Sequence, residues 1–340
     1  DVYKRQVRFD QGLDLASQGQ WVLGATLEAG GEAVHSVIDT GDGPLPYQLL
    51  GAWMRLGEPS YRAAAQIQTL LHTLLAVLLL GWTLRRGWLS ALAVQLALLA
   101  AAPMSFGALL AGLTLLVPAT LRFRPGLVFG VLLAGLATVE PGWFLVCIAV
   151  ALTARRNLLR EGATGLGAGI TLVVLAALAS GAPGATLSNA LVAPWSRLFA
   201  EFGRVFDTVQ TGAWLHLPFS GLSTGENLGA RWPLHSGLRA FGLRLSVMLL
   251  LAVPALLIWR GSDKRGLPLV LSISAVGLVL LRGDVPGIVT ATVLSALAWS
   301  IASVGWHRTL LALFAVALAT PVAENLWLTT HARREGLELW

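Results

Sequence analysis

The sequence is poor in the residues on which most soluble enzymes and small secreted domains depend. Only 12% of the 340 residues are charged, whereas a soluble domain carries about 25%. Cys147 is the only cysteine, which excludes a disulfide framework and a cysteine-based zinc cluster. The sequence contains no Walker motif, Cys-x-x-Cys pair or polar low-complexity tract. A nucleotide-binding loop, a thiol redox centre and a disordered chain are therefore excluded as well.

Apolar residues take the place of the missing charge. Hydrophobic residues make up 55% of the chain, and the mean hydropathy is +0.70. Thirteen tryptophans against three tyrosines are typical of rings at membrane interfaces. The pI is near 10.4. Because the cations lie at the ends of apolar runs, we attribute this basic charge to the orientation of helices in a bilayer and not to binding of nucleic acid. The sequence predicts an all-α integral membrane protein, a polytopic helical bundle of about ten spans with a helical, non-cytoplasmic first loop.

The start of the chain is unusual for a membrane protein. Residue 1 is Asp, and Met54 is the first methionine. We expect a fragment that has lost its N-terminus, including a first membrane span, and that carries a few foreign residues at 1–6. Residues 9–61 hold seven acids and the single cation Arg55, while the remainder is basic. An acidic, polar head therefore precedes a basic, apolar body.

Three apolar runs open the body. Residues 62–84 are long enough for one crossing, since about 20 helical residues span the hydrocarbon core. The runs 88–121 and 126–154 are too long for one crossing, and proline and glycine interrupt them at 103–107 and 140–142. We expect each of these two runs to form two short helices that turn back at the interruption. The alternative is one kinked, tilted helix per run.

This pattern divides the chain into five segments. They are a non-cytoplasmic acidic loop with juxtamembrane helices at 1–61, transmembrane helices with two short hairpins at 62–180, a non-cytoplasmic loop at 181–237, transmembrane helices at 238–328 and a tail at 329–340. With both hairpins, eleven cations in short loops fall on one face, as the positive-inside rule requires. The head and the turn at Glu140 fall on the opposite face. The cations are Arg85, Arg86, Arg122, Arg124, Arg155, Arg156, Arg160, Arg260, Lys264, Arg265 and Arg308.

Two carboxylates in the head are the first candidates for chemistry. Asp10 and Asp14 have the i, i+4 spacing that places both on one face of a helix, where like charges repel. Near a membrane surface such a pair raises one pKa or binds a cation, which fits an acid or base at the mouth of a membrane cavity. The competing interpretation is a solvated helix face.

A turn is predicted within the second half of the head. Asp39-Thr-Gly-Asp42 resembles the aspartic protease signature, but nothing in the sequence predicts the β-barrel that this signature needs. Glycine and proline at 41–46 instead predict a turn that ends one element and starts an apolar helix at Leu45.

The order of these features resembles the GT-C superfamily of polytopic membrane glycosyltransferases. The shared features are an acid at Asp10, a helix closed by Gly24, the segment Gly43-Pro44-Leu45-Pro46-Tyr47, a span that starts at Arg62 and an Arg-Arg turn. The closest branch is the protein-mannosyltransferase-like and aminoarabinose-transferase-like one. The resemblance covers about residues 9–180. Gln11 stands where these enzymes often have a second acid.

The resemblance implies transfer of a sugar from a polyprenyl-phosphate donor to a glycan, lipid or protein acceptor. Asp10 is the expected general base and Asp14 its catalytic partner, while Asp42 and Tyr47 are expected to bind substrate. Fixed cations would stabilise the lipid phosphate that leaves. The strongest such candidates are Arg62, Arg231 and His235, with Arg55, Arg197 and Arg204 on the same face. Interfacial snorkelling is the competing explanation for each arginine.

Glu140 is one of two acids between residues 62 and 200. At a hairpin tip it could line the same cavity as Asp10 and bind substrate, or it could be a simple turn residue in water. The six histidines are scattered without metal-ligand spacing, so we expect no cofactor, with a divalent metal as an open alternative. The glycines of 165–169 follow no strand and predict helix packing instead of a nucleotide loop.

Two other functions compete with sugar transfer. A transporter or flippase would need charges inside spans and an internal helix repeat. A non-catalytic membrane subunit would agree with Gln11 and with a lost N-terminus. For all three functions the expected location is a bacterial plasma membrane, crossed many times, with the bilayer and no nucleic acid as partner.

Overall fold

The computed structural model describes residues 15–37, 44–57, 61–100, 106–121, 124–154, 156–180, 182–210, 266–281, 285–302, 308–316 and 318–319. Every regular element in these ranges is helical and none is a strand, which confirms the all-α prediction.

The helices are α1 (Leu15–Gly30), α2 (Val34–Val37), α3 (Leu45–Arg55), α4 (Tyr61–Leu84), α5 (Trp88–Ala100), α6 (Phe106–Thr120), α7 (Pro125–Val139), α8 (Pro141–Ala154), α9 (Arg156–Ala179), α10 (Pro183–Leu187), a π-helical turn (Ser188–Val192), α11 (Ala193–Gln210), α12 (Gly266–Leu281) and α13 (Val285–Ala302), followed by helical residues at 308–316 and 318–319.

These helices belong to two compact units. The described residues of the first unit come from Leu13–Leu78 and Ser105–Phe202, and those of the second from Leu79–Met104 and Gly203–Trp340. The first unit contains the described part of the head, within residues 15–57, and helices α6–α9.

The head is held together by α1, α3 and the start of α4. Its core consists of Val22, Ala25, Leu50, Met54 and Ala63. Gly51 lets α3 lie directly on α1, since a Cβ built there would be only 3.1 Å from the carbonyl oxygen of Ala25. The predicted helix start at Leu45 is confirmed, with a proline in its first turn where the missing N–H costs nothing.

One detail of the expected head is wrong. Gly24 does not close a helix, because α1 continues to Gly30. The helix ends at Gly31, whose φ of 88° is a left-handed conformation that glycine adopts without strain. Gly24 lies within α1 instead, where Val34 and the ring of Tyr47 occupy the space that a side chain would need.

The chain changes direction between the helices of the first unit. A Cβ built on Gly107 at the start of α6 would lie 2.8 Å from the Cβ of Glu140, and Cys147 Sγ lies 3.7 Å from the carbonyl oxygen of Ala111. Helices α6 and α8 therefore run parallel from the Glu140 turn. A Cβ built on Gly135 would be 3.9 Å from Leu110 Cδ2, so α7 runs antiparallel to α6, and the chain reverses at Glu140.

Helices α7 and α9 pack backbone against backbone. A Cβ built on Gly165 would lie 3.0 Å from the Cα of Leu127, and one on Gly169 would lie 3.2 Å from the Cα of Val131. The matching order of these contacts shows that α9 runs parallel to α7. The packing prediction for the glycines of 165–169 is confirmed at these two positions, whereas Gly167 has no neighbour within 4 Å.

In the second unit, α13 packs against both α12 and α5. Residues 290–296 of α13 are all buried, which is typical of a helix that is apolar all round. The unit also contains the basic turn after α4, where Arg86 lies 4.4 Å above the ring of Trp82. Partial burial lowers the pKa of Arg86, yet an arginine stays protonated at neutral pH.

The lengths of the helices bear on the membrane prediction. Within the described residues, Leu159–Ala179 is the one helical stretch long and apolar enough to cross a membrane. Seven further apolar helices measure 10–17 residues, and Thr69–Leu84 within α4 is one of them. A bundle of about ten spans is therefore not established by these lengths.

Candidate functional site at the Glu140 turn

Glu140 joins α7 to α8 and belongs to both helix ends. Its N–H donates to the carbonyl oxygen of Leu136 over 2.9 Å, which closes the last turn of α7. Its own carbonyl oxygen accepts from the N–H of Trp143 over 3.0 Å and so opens α8. Its φ of −149° and ψ of 87° are not helical, so α7 ends here. Pro141 suits the first position of α8, because a backbone N–H at that position would have no hydrogen-bond partner within the helix.

The carboxylate of Glu140 also lies over the first turn of a third helix. Gly107 is the second residue of α6, and a Cβ built there would lie 3.0 Å from the Glu140 carboxyl carbon. The carboxylate thus lies at the N-terminus of α6, where the helix dipole favours negative charge. Glu140 is half-buried, so part of its side chain still faces outward.

An aromatic pair joins the head to this turn. The ring of Trp21 in α1 meets the ring of Phe106 edge-on, with centroids 5.1 Å apart and planes at 76°. Phe106 directly precedes Gly107, on which Glu140 rests. Helix α1, whose first residue follows Asp14 in the sequence, is therefore anchored beside Glu140.

The chain after α9 returns to the same end of the bundle. Because α9 runs parallel to α7, its last residue and α10 lie towards the Glu140 end. Helix α10 packs against α2 of the head, and the ring of Trp195 in α11 meets the ring of Phe144 in α8 edge-on at 5.7 Å. Parts of 15–57, 140 and 182–202 are thus assembled at one end of the first unit.

The opposite end of α7 is basic. Arg124 caps the start of α7 with a φ of 44°, and Gly126 in the first turn touches Glu161 of α9. The side chains of Arg124 and Arg160 are exposed there. With a rise of about 1.5 Å per residue, α7 holds these arginines about 22 Å from Glu140.

Tyr47 lies in the packing of the head. Its side chain is fully buried against Gly24 and Val34, and its ring meets that of His35 edge-on at 5.9 Å. These contacts fix α3 against α1 and α2. Its role in binding substrate stays a prediction.

Arg55 and Glu28 hold the other side of the head. The guanidinium of Arg55 donates to the carbonyl oxygen of Glu28, close to the C-terminus of α1, where the helix dipole favours a cation. The carboxylate of Glu28 in turn accepts from the N–H of Val34 over 3.2 Å. Arg55 is exposed, but this contact directs it to the backbone of the head.

The other residues expected at the site lie beyond the described part. Asp10, Asp14, Asp42, Arg231 and His235 fall outside the described residues, as do the side chains of Arg62 and Arg204. Arg197 is described and exposed on α11. The structure therefore brings Glu140 to the head, and the positions of both expected catalytic carboxylates stay predictions.

Residues not expected from the sequence contribute to this end. Gly107 contacts Glu140, and the preceding residue, Phe106, contacts Trp21. The interruption at 103–107 was the sequence signal for Phe106 and Gly107, and Trp21 had none. Asn189 lies in the π-helical turn and donates to the carbonyl oxygen of Ala185 over 3.0 Å. Among the described residues its buried side-chain oxygen has no hydrogen-bond partner. Such a turn and such an atom are both unusual outside functional or water-filled positions.

No family model, curated protein or solved structure matches this chain. Within the described ranges, no group of three His, Cys, Asp or Glu side chains is placed to hold a metal ion.

Proposed function

We propose that this chain is an integral membrane glycosyltransferase of the GT-C type. It would transfer a sugar from a polyprenyl-phosphate donor to a glycan, lipid or protein acceptor on the non-cytoplasmic face of a bacterial plasma membrane. One observation carries the proposal beyond the resemblance. Helix α1 and the Glu140 turn meet at one end of the α6–α9 bundle, whereas Arg124 and Arg160 are exposed at the other.

The membrane placement includes a multi-pass bundle of about ten spans. Helix α9 supports the membrane placement, because only 22% of its apolar segment is buried inside the protein. The large apolar side chains that α9 exposes are Ile170, Leu172, Leu175 and Leu178. In water such a face would drive association, whereas in a bilayer it faces lipid chains.

The proposed reaction breaks the bond between the anomeric carbon of the sugar and the phosphate oxygen of the donor. The acceptor hydroxyl oxygen forms the new bond to that carbon, and its proton moves to the carboxylate of Asp10. Polyprenyl phosphate leaves with the electron pair. Asp10 precedes α1 by five residues in the sequence, and its role as the base is part of this proposal.

The leaving phosphate gains a second negative charge as the bond breaks. Arg62, Arg231 and His235 are the cations that would stabilise it at the membrane surface. Arg62 opens α4 immediately after the head. Glu140 would accept hydrogen bonds from sugar or acceptor hydroxyls with the part of its side chain that is exposed.

The helices favour sugar transfer over ion-coupled transport. None of the seven shorter apolar helices contains Asp, Glu, Lys or Arg. Coupled transporters place such residues near the middle of their spans. In the described part of α6–α9 the charged residues lie near the helix ends, with Glu140 at one end and Arg124, Arg160 and Glu161 at the other.

Substitution of the proposed base tests the function. Asp10→Asn removes the proton acceptor while keeping the size of the side chain, so transfer from a polyprenyl-phosphate sugar should fall about 10²–10⁴-fold. The measurement is release of polyprenyl phosphate by the full chain in membrane vesicles that contain the acceptor. Asp39→Asn is the matched control, since Asp39 lies in the same head and is given no catalytic role.

The two variants separate chemistry from folding. Equal membrane yields of both variants, with activity lost only at position 10, would support the proposal. Unchanged transfer by Asp10→Asn, or equal loss in both variants, would refute Asp10 as the base.

A further inference from the structure

Helix α11 has an apolar stripe that the protein covers only in part. Trp195, Leu198, Phe199 and Phe202 follow one another at helical spacing. This segment was expected to be part of a polar loop, and its helix is the most amphipathic of those described. Helices of this kind either pack on a protein surface or lie in a membrane interface.

The first half of the stripe is used inside the first unit. Leu198 is buried, with its Cδ1 3.7 Å from a Cβ built on Gly142, and Trp195 meets Phe144 edge-on. These contacts attach α11 to the first turn of α8, next to Glu140.

The second half of the stripe is uncovered. Phe199 is 67% exposed and Phe202 is 39% exposed, although an aromatic ring gains most from leaving water. On α8, Leu145 lies one residue beyond Phe144 and is 43% exposed. The start of α8, to which α11 is attached, therefore exposes apolar surface as well.

The position of α11 points to lipid as the covering material. The stripe is attached where the apolar helix Pro141–Thr153 begins, which is the level at which a spanning helix meets the interface. Aromatic side chains prefer that level. Away from the stripe, α11 exposes Ser196 and Arg197, so this polar side would face water and lipid headgroups.

We propose that α11 is an interfacial helix, with Phe199 and Phe202 inserted into the outer leaflet beside the Glu140 turn. It would hold this end of the bundle at a fixed depth in the bilayer. The inference rests on membrane placement and not on sugar transfer. A loss of transferase activity would leave it untouched.

A single-cysteine labelling experiment tests this proposal. Cys147 is buried, so Cys147→Ala gives a background for Phe199→Cys, each protein carrying one small environment-sensitive fluorophore. The full chain is reconstituted in vesicles of phosphatidylethanolamine and phosphatidylglycerol. We expect several-fold stronger quenching at position 199 by a lipid with a nitroxide high on its acyl chain than by aqueous iodide.

Two control positions make the result specific. Ala200→Cys lies about 100° further around the helix, away from the stripe, and should show the opposite preference for iodide. Leu172→Cys lies on the exposed face of α9 and should respond to deep nitroxide lipids.

Two results would overturn the proposal. Iodide quenching at 199 equal to that at 200 would mean that the stripe faces water. Protection of 199 from both quenchers would mean that a second copy of the chain covers it. In either case the signal at 172 reports separately whether α9 lies in the bilayer.

Discussion

At the residue scale, Glu140 has a structural role that does not depend on any role in catalysis. It ends α7, begins α8 and rests on Gly107 in the first turn of α6. Its carboxylate lies on the first turn of α6, a helix end that favours negative charge, while its backbone caps the C-terminus of α7. Glu140 is half-buried there, and Phe106, the residue before Gly107, contacts the ring of Trp21 in the head.

Gly107→Ala should disturb this arrangement. Its Cβ would lie 3.0 Å from the Glu140 carboxyl carbon, so the carboxylate or α6 must shift, at a cost of about 1–3 kcal/mol. We expect a lower apparent unfolding temperature in detergent and a loss of sugar transfer.

Gly142→Ala is the control for that substitution. Gly142 is also the second residue of its helix, and its nearest neighbour, Leu198 Cδ1, stands at an ordinary contact distance of 3.7 Å. Stability should be unchanged or slightly increased. Equal unfolding temperatures for the two variants would show that the contact between Gly107 and Glu140 carries no energy.

At the element scale, the sequence predicted where helices begin and end better than how they pair. Proline and glycine correctly predicted the start of α3 at Leu45 and the interruption at 140–142, because these residues determine the backbone conformation at their own positions. The contact of Trp21 with Phe106 and the fit of α7 on α9 join residues far apart in sequence. The glycines of 165–169 predicted close packing but not that α7 is the partner, since no local pattern names the partner of a contact. Gly24 was assigned to a helix end for the same reason.

The glycines of α9 provide a test of helix pairing. A Cβ at Gly165 would lie 3.0 Å from the Cα of Leu127, whereas Gly167 has open space around it. Gly165→Ala should push α9 from α7 and cost about 1–3 kcal/mol. Gly167→Ala should be neutral or gain up to about 1 kcal/mol from helix propensity.

Thermal unfolding of both alanine variants in the same detergent measures this difference. The reverse order, or no difference, would contradict the close packing of α7 and α9.

At the scale of the whole molecule, two arginines of the first unit lie at the end of α7 opposite the head, although the exposed Arg55 and Arg197 lie on the side of the head and Glu161 lies with the two arginines. The head and the Glu140 turn lie at one end, and Arg124 and Arg160 are exposed at the other. The positive-inside rule predicted this separation from loop composition alone. The sequence could not show which head residues meet the bundle, and Asp10 itself lies outside the described residues.

The most direct test of the account is the side of the membrane on which each end lies. In the Cys147→Ala background, Glu32→Cys marks the head and Leu121→Cys marks the basic end, and both positions are exposed. A membrane-impermeant maleimide applied to intact bacterial spheroplasts should label position 32, and position 121 only after permeabilisation. Labelling of both positions from the same side would contradict the account.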